Sequence, residues 1–319
     1  CPLSVRFLSG FHFHSSLECT AMASAYRATA VTRGINMTAS TRDMAELEGI
    51  ALRSRQIGVV EFGVDVAADI ATLATMDLNP EYGQYSVNRW GSLALRNRDG
   101  DAGSSQSHEF SLPSKWTANA HRLPALKSLV ETVFHLDEVR SARVFVANSQ
   151  SGIRPHRDYL EFRNGFTRLH LVLETHAGSV NGEGTQAFHM PKGALVFLEG
   201  RELHWALNLS SEPRYHLVCD FDAQLTPEEC VREQFVGEHC LPLVHRSALP
   251  EEVAELLKLS AQATDTENIE QLLKLADSIF MRYDTQPFAT PYDMVMPHMG
   301  ANPAAVNALI RRRVQYCGL

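Results

Sequence analysis

Alternating apolar and polar residues dominate the middle of the chain. Short stretches of this kind follow one another closely, and turn signals such as Asn164-Gly165 and Pro191-Lys192-Gly193 separate them. A period of two is typical of strands with one buried and one polar face. The predicted strands are 142–147, 166–174, 186–190, 194–198, 204–209 and 214–221. Many short strands at this spacing predict a mainly β fold, an antiparallel sandwich or barrel.

Apolar residues spaced three and four positions apart predict helices on both sides of this region. Upstream, a strand at 56–62 precedes helices at 66–76 and 124–136. Downstream, the predicted helices are 251–259, 267–283 and 303–314. The change of period near residue 223 predicts two domains, a β domain at 44–223 and a helical C-terminal domain at 224–319.

Two of the downstream helices carry sequence signals for their first turn. Thr264 and Glu267 have the spacing of a capping box. Asn302 is followed by Pro303, which combines an N-cap residue with proline at the first helical position. We therefore expect one helix to begin just after Thr264 and another just after Asn302.

Residues 1–43 differ from the rest of the chain. They are rich in Arg, Ser and Thr and show no clear period. Such a segment is expected to be a leader or a non-native extension, poorly ordered, and it is left out of the fold argument.

Charge and composition limit the classes of partner. The net charge is −8 and the pI is about 6.0, so the chain lacks the basic surface that neutralises phosphates in nucleic acids. None of the six cysteines lies in a C-x-x-C pair, which argues against a zinc–thiolate cluster. No stretch approaches the roughly 18 to 20 apolar residues of a membrane helix. We expect a cytoplasmic protein that binds a small molecule, with no nucleic-acid or membrane partner, and a homodimer is an open option.

The chain has two His-x-Asp pairs, and their predicted backbones distinguish them. His135 and Asp137 close the predicted helix at 124–136, where residues two apart point to nearly opposite sides. His156 and Asp158 follow Pro155 in the β region, where residues i and i+2 of an extended chain share one face. Only the second pair is predicted to bind a metal jointly.

A third metal ligand is predicted further along the chain. His204 begins a predicted strand 46 residues after Asp158. Two imidazoles and one carboxylate form the facial triad that holds Fe(II) and leaves coordination positions open. Arg214 opens the next strand. Its always-protonated, forked guanidinium suits a dicarboxylate whose other end binds the iron.

The strand predicted at 166–174 has a polar face. Alternation puts Arg168 and His170 on one side and three Leu residues on the other. Inside a small barrel these polar groups would need partners, because an uncompensated buried charge is costly. The alternative, that this is the solvent face, stays open. The same reasoning marks Arg143 and His189 as candidates.

Several motifs together resemble a known enzyme group. They are Ile153-Arg-Pro-His-Arg-Asp-Tyr-Leu-Glu161, Arg168-Leu-His-Leu-Val-Leu-Glu174, Phe188-His-Met190, Val196-Phe-Leu-Glu199, His204 and 214–220. This set is similar to the bacterial free-proline hydroxylases of the aspartyl/asparaginyl β-hydroxylase-like group of Fe(II)/2-oxoglutarate dioxygenases. The resemblance covers roughly 56–222. The downstream motifs Arg282-Tyr-Asp284, Pro287 and Tyr292-Asp293 resemble the C-terminal domain of proline cis-3-hydroxylases, which the cis-4-hydroxylases lack.

This resemblance implies a fold and a set of site residues. The fold would be a double-stranded β-helix, the jelly-roll or cupin-like core, with flanking helices and a C-terminal helical domain. His156, Asp158 and His204 would hold the iron and form the catalytic centre. Arg214, His170 and His189 would bind 2-oxoglutarate. Arg143, Arg168 and Trp90 would bind the amino-acid substrate.

The implied activity is hydroxylation of a free cyclic amino acid, L-proline or L-pipecolate, with Fe(II), 2-oxoglutarate and O₂. The helical tail favours cis-3-hydroxylation, with release of succinate and CO₂. Asp158 favours hydroxylation over halogenation, because related halogenases vacate the carboxylate position for a halide. Two alternatives are a hydroxylase of Asp or Asn side chains in a peptide and a non-redox, cupin-like binding module.

Overall fold

The computed structural model of the chain describes residues 52–80, 83–88, 90–105, 112–158, 165–300 and 302–318. The leader expected at 1–43 lies outside these residues. The strands are β1 (Arg55–Val59), β2 (Ser86–Val87), β3 (Trp90–Asn97), β4 (Lys115–Trp116), β5 (Ser141–Ala147), β6 (Ser151–His156), β7 (Thr167–Glu174), β8 (Ser179–Glu183), β9 (Gln186–Phe188), β10 (Ala194–Leu198), β11 (His204–Asn208) and β12 (Arg214–Phe221). The α-helices are α1 (Val64–Leu73), α2 (Ala118–Arg122), α3 (Pro124–Val133), α4 (Glu251–Ala263), α5 (Ile269–Arg282), α6 (Pro291–Val295) and α7 (Pro303–Cys317).

The strands form two sheets, and the strand pairs of the described residues are all antiparallel. The larger sheet has the order β1-β10-β7-β12-β5-β3-β4, and the smaller sheet has the order β2-β6-β11-β8-β9. Two facing sheets joined by repeated crossovers form a double-stranded β-helix. The predicted mainly β fold with flanking helices is therefore confirmed.

Helices α1 to α3 cover the outer face of the larger sheet. Leu169, Leu171 and Leu173 of β7 belong to the apolar core on this side. The alternation of β7 therefore turns Arg168 and His170 toward the inner face of the sheet, where both are buried. The alternative of a solvent-facing polar side is thus wrong for this strand.

The C-terminal helices pack on the outer face of the smaller sheet. Their apolar residues form one core with Val180, Trp205 and Leu207 from the sheet. The described residues belong to one compact unit. The division into domains at 44–223 and 224–319 stays a prediction.

Arg154 of β6 joins the smaller sheet to the C-terminal helices. Its guanidinium donates from Nε to Asp277 and from Nη1 to Glu270, both on α5. The guanidinium also lies over the ring of Tyr316 on α7, 5.3 Å from the ring centre. Arg154 and Asp277 are both buried, so each compensates a charge that would otherwise be costly inside the protein.

One predicted helix start is confirmed and the other is wrong. The Asn302 side chain caps α7 by accepting from the N–H groups of Ala304 and Ala305. Thr264 instead ends α4 as its C-cap residue. Asp265 accepts from two N–H groups in the following turn, so α5 begins only at Ile269 and the capping box does not form. In the described part of the chain, no helix is both long enough and apolar enough to cross a bilayer.

Candidate metal centre and cosubstrate cavity

The three predicted metal ligands meet beside the smaller sheet. His156 ends β6 and His204 begins β11, and these two residues are opposite each other in the paired strands. His156 Nε2 lies 3.3 Å from Asp158 Oδ1, and His204 Nε2 lies 3.7 Å from Asp158 Oδ2. One ligand atom from each residue lies within 4.8 Å of the other two, and all three residues are buried.

Backbone carbonyls hold both imidazoles in the orientation a metal requires. His156 Nδ1 donates to the Arg154 carbonyl at 2.7 Å, and His204 Nδ1 donates to the Glu202 carbonyl at 3.0 Å. Because a carbonyl oxygen only accepts, Nδ1 carries the hydrogen and Nε2 keeps its lone pair. Burial and the neighbouring His156 lower the pKa of His204 to about 4, so this ring is neutral near pH 7.

Asp158 is held in its ionised form. Burial by itself would raise its pKa, but the Arg168 guanidinium together with His204 and His156 outweighs burial, and the pKa lies well below the usual range. Arg168 Nη1 donates to Asp158 Oδ2, and the Asp158 N–H donates to the Gly200 carbonyl at 2.9 Å. The carboxylate is therefore fixed in place before any metal binds.

This donor set fits Fe(II). Two neutral imidazole nitrogens and one carboxylate oxygen are the ligands of the facial triad, which leaves room for further ligands. The other His-x-Asp pair, His135 and Asp137, is exposed and lies outside this cluster. The prediction that this pair closes a helix is wrong, because α3 ends at Val133 and His135 has an extended backbone; exposure and position separate the two pairs.

Gly200 offers a local test of the metal centre. A Cβ at this position would lie 2.8 Å from Asp158 Oδ2 and 2.9 Å from Phe166 Cζ. We expect Gly200→Ala to displace Asp158 and to raise the dissociation constant for Fe(II) or Mn(II) at least about tenfold, as loss of a group that orients a ligand does. Metal titration followed by calorimetry measures this.

Gly63→Ala is the matched control, since a Cβ there meets nothing within 4 Å. It should leave metal affinity unchanged. Equal affinity of both variants for the metal would contradict the assigned role of Asp158.

A cavity of about 600 Å³, including its opening to solvent, adjoins the triad. Its lining comes from the inner faces of both sheets, and part of the wall is apolar. The apolar part is formed by Tyr85, Phe145, Ile153, Leu198 and Trp205. A largely apolar cavity with a few convergent polar groups is the usual form of a small-molecule site.

Arg214 places a cation in this cavity. The residue is 3% exposed, and burial lowers its pKa to about 10. Its Nη1 donates to Asn181 Oδ1 at 2.9 Å, and its guanidinium lies 5.2 Å from the centre of the Trp90 ring. Among the described residues, no carboxylate pairs with Arg214. Since buried cations need compensation, this site suits an anionic ligand.

The two other predicted arginines share one buried acid. Arg168 Nε donates to Asp220 Oδ1 at 2.7 Å, and Arg143 Nη2 donates to Asp220 Oδ2. Arg168 lines the cavity, whereas Arg143 is not among the lining residues and also donates to the Ser105 carbonyl at 2.9 Å. The structure brings Arg168 to the site and sets Arg143 behind it.

The remaining three predicted residues differ in whether they line the cavity. Trp90 and His170 line the cavity. His189 is not among its lining residues, and its Nδ1 donates to the Ser179 carbonyl at 2.8 Å. Binding roles for all of these residues stay predictions.

Three buried residues of the site were missed by sequence reasoning. Asn181 orients Arg214, Asp220 holds two arginines, and His216 contacts His170. His216 and Asp220 follow Arg214 at even spacing along β12, so alternation could have placed them on its inner face. Nothing in the sequence pattern could have paired Asn181 with Arg214.

Comparison with known proteins relates the chain to amino-acid hydroxylases. An L-proline cis-4-hydroxylase from Rhizobium meliloti (strain 1021) is 37% identical over 177 residues, which cover 55% of this chain and 63% of that protein. Two L-proline cis-3-hydroxylases from Streptomyces sp are 27% and 26% identical, over 77% and 78% of this chain and 87% and 89% of their own length. The match thus spans less than two thirds of the cis-4-hydroxylase and most of the cis-3-hydroxylases.

A solved structure and a protein family also match parts of the chain. An oxidoreductase of the 2OG-Fe(II) oxygenase family from Burkholderia pseudomallei is 12% identical with a TM-score of 0.36, and the match covers 60% of this chain and 93% of that one. Residues 66–224 match the family described as Aspartyl/Asparaginyl beta-hydroxylase. The matched region includes all three predicted metal ligands, and the relatives are named as L-proline hydroxylases. This region of the chain is similar to the aspartyl/asparaginyl β-hydroxylase family.

Proposed function

We propose that the protein hydroxylates a free cyclic amino acid, L-proline or L-pipecolate, using Fe(II), 2-oxoglutarate and O₂. One observation carries the proposal: Arg214, a buried arginine with no acidic partner among the described residues, lies in the same cavity as a His-Asp-His triad. That pair of features suits a dicarboxylate that binds a metal at one end and an arginine at the other.

The bound iron and 2-oxoglutarate supply the oxidation of a substrate C–H bond by O₂, with succinate and CO₂ as coproducts. The protein holds and orients the reactants. His156, Asp158 and His204 bind the metal, and Arg214 binds the far carboxylate of 2-oxoglutarate. These groups are fixed by hydrogen bonds within the fold, which favours reaction because little reorganisation is needed.

Arg168 is the proposed partner of the amino acid's carboxylate. It faces the cavity while Asp158 and Asp220 hold its guanidinium in place. Arg143 contributes from behind by holding the other side of Asp220. The distance between this carboxylate site and the metal would decide which ring carbon is oxidised.

The cavity supports a free amino acid over a peptide. Aromatic side chains of Tyr85, Trp90, Phe145 and Trp205 contribute to its walls. Such walls suit a compact ring. A non-redox binding module would have no use for Arg214 beside the triad.

We propose C3 as the oxidised carbon. The alignments with the two cis-3-hydroxylases extend over 77% and 78% of this chain, against 55% for the cis-4-hydroxylase. The cis-4-hydroxylase has the higher identity, 37%, so C4 oxidation is the second candidate. A cytoplasmic location and a homodimer stay predictions.

Incubation with free amino acids tests the function. The purified protein is incubated in air with Fe(II), 2-oxoglutarate and L-proline or L-pipecolate, and succinate and the NMR spectrum of the product are recorded. A cis-3-hydroxy product supports the full proposal, and a cis-4-hydroxy product supports the second candidate. Absence of amino-acid-dependent succinate contradicts both.

Ligand-linked stability gives an independent prediction. With Mn(II) present, millimolar 2-oxoglutarate should raise the melting temperature more than 2-oxobutyrate, a keto acid that lacks the far carboxylate. Only the dicarboxylate brings a second negative charge to the buried cation of Arg214. A ligand that binds the folded but not the unfolded state stabilises the protein. Differential scanning fluorimetry measures the shift. Equal shifts from the two keto acids would contradict the dicarboxylate site.

A further inference from the structure

Two buried histidines on neighbouring strands contact each other through the same ring nitrogen. His170 lies on β7 and His216 on β12, and their Nδ1 atoms are 3.2 Å apart. The rings are nearly perpendicular, at 87°, with centres 5.4 Å apart. His170 is 7% exposed and His216 is 1% exposed.

Both rings are neutral. Burial, followed by the nearby cations Arg168 and Arg214, lowers the pKa of His170 well below its usual range, and burial and Arg214 do the same for His216. A neutral imidazole has one N–H and one bare nitrogen. The Nδ1–Nδ1 contact therefore contains one hydrogen, and either His170 or His216 donates it.

The surroundings of the two Nε2 atoms distinguish these arrangements. Among the described residues neither Nε2 has a hydrogen-bond partner. If His170 were the donor, His216 would carry a buried N–H with no acceptor. If His216 is the donor, the buried N–H without an acceptor is instead the Nε2–H of His170. In this second arrangement His170 Nε2–H can serve a ligand, because His170 lines the cavity.

We propose that His216 is a positioning residue for the cosubstrate site. Its Nδ1–H donates to His170 Nδ1, which fixes His170 as the tautomer that presents Nε2–H to an anionic ligand beside Arg214. The identity of that ligand as 2-oxoglutarate rests on the proposed function, but the tautomer does not. The arrangement exists before the ligand binds, so the donor needs no reorientation on binding.

Nitrogen-15 NMR of the unmodified protein tests the tautomer directly. Two-bond ¹⁵N–¹H spectra of histidine-labelled protein are recorded without ligand and with Zn(II) and 2-oxoglutarate. His170→Leu and His216→Leu assign the two ring systems by loss of their signals. We expect a hydrogen on Nε2 of His170 and on Nδ1 of His216 in both samples. A hydrogen on Nδ1 of His170 in either sample overturns the proposal.

A double-mutant cycle tests whether His216 acts through His170. We expect His216→Leu to raise the dissociation constant for 2-oxoglutarate about tenfold, as loss of a hydrogen bond to a charged group does. His216→Asn keeps an N–H near the position of Nδ1 and should stay within about threefold of the unmodified protein. In the His170→Leu background, His216→Leu should have no further effect.

The proposal would be overturned if His216→Leu weakened 2-oxoglutarate binding by the same factor with and without His170. His216 would then act through general packing. Affinities are measured by calorimetry with Mn(II), and melting temperatures identify variants that fail to fold. If the unmodified protein binds no 2-oxoglutarate, the proposed function fails, while the ligand-free NMR spectrum still decides the tautomer.

Discussion

Replacing His156 or Asp158 by alanine should abolish amino-acid-dependent formation of succinate while the protein stays folded. Each residue supplies one of three ligand atoms that lie within 4.8 Å of one another. With only two ligands left, the site loses most of its affinity for Fe(II) and the geometry that leaves adjacent positions open. We expect turnover below about one thousandth of the original rate, as loss of a group central to the chemistry produces. Succinate release measures activity, and circular dichroism measures folding.

The second His-x-Asp pair provides matched controls. His135→Ala and Asp137→Ala remove the same side chains from exposed positions outside the cluster. Both control variants should keep full activity. If His156→Ala and Asp158→Ala both retained substrate-dependent succinate production, the iron site would be assigned to the wrong residues.

Arg214→Leu should raise the requirement for 2-oxoglutarate by about 100-fold or more. Removal of one partner from a buried charge pair costs about 2 to 5 kcal/mol, and Arg214 is the cavity's cation without an acid among the described residues. Leucine fills part of the volume, so the fold should survive. The maximal rate at saturating 2-oxoglutarate should fall less than the affinity, because the triad is untouched.

Steady-state kinetics over a range of 2-oxoglutarate concentrations separate these effects. Arg201→Leu is the control, since its side chain is 66% exposed and pairs with Glu199. It should leave the 2-oxoglutarate requirement unchanged. Unchanged dependence in Arg214→Leu would mean that the far carboxylate binds elsewhere.

The metal centre could be predicted from sequence because backbone periodicity carries the information. A period of two puts His156 and Asp158 on one face in any extended chain, and it separates Arg168 from the leucines of β7. The structure agrees in both cases. His204 was predicted as the third ligand from its position at the start of a strand, but the antiparallel pairing of β6 with β11 that sets it opposite His156 was not predicted.

Side-chain partnerships could not be predicted in the same way. Arg143 was expected at the substrate, but Asp220 on the neighbouring strand holds it behind Arg168. Which acid a buried arginine pairs with depends on strand order and side-chain rotamers. The alternation of apolar and polar residues along one strand specifies neither. The same holds for Asp265, whose short side chain accepts from the Glu267 N–H that the Thr264 hydroxyl was expected to accept from.

The link between Arg154 and α5 has a consequence for attempts to shorten this protein. The carbonyl of Arg154 accepts from the ring of His156, while its guanidinium is anchored by Asp277 some 120 residues later in the chain. Removal of the polypeptide after β12 would leave the guanidinium of Arg154 without its two acids, two residues before the proposed iron ligand His156. A shortened enzyme based on this protein has to retain the C-terminal helices, because they help to hold the proposed metal site in place.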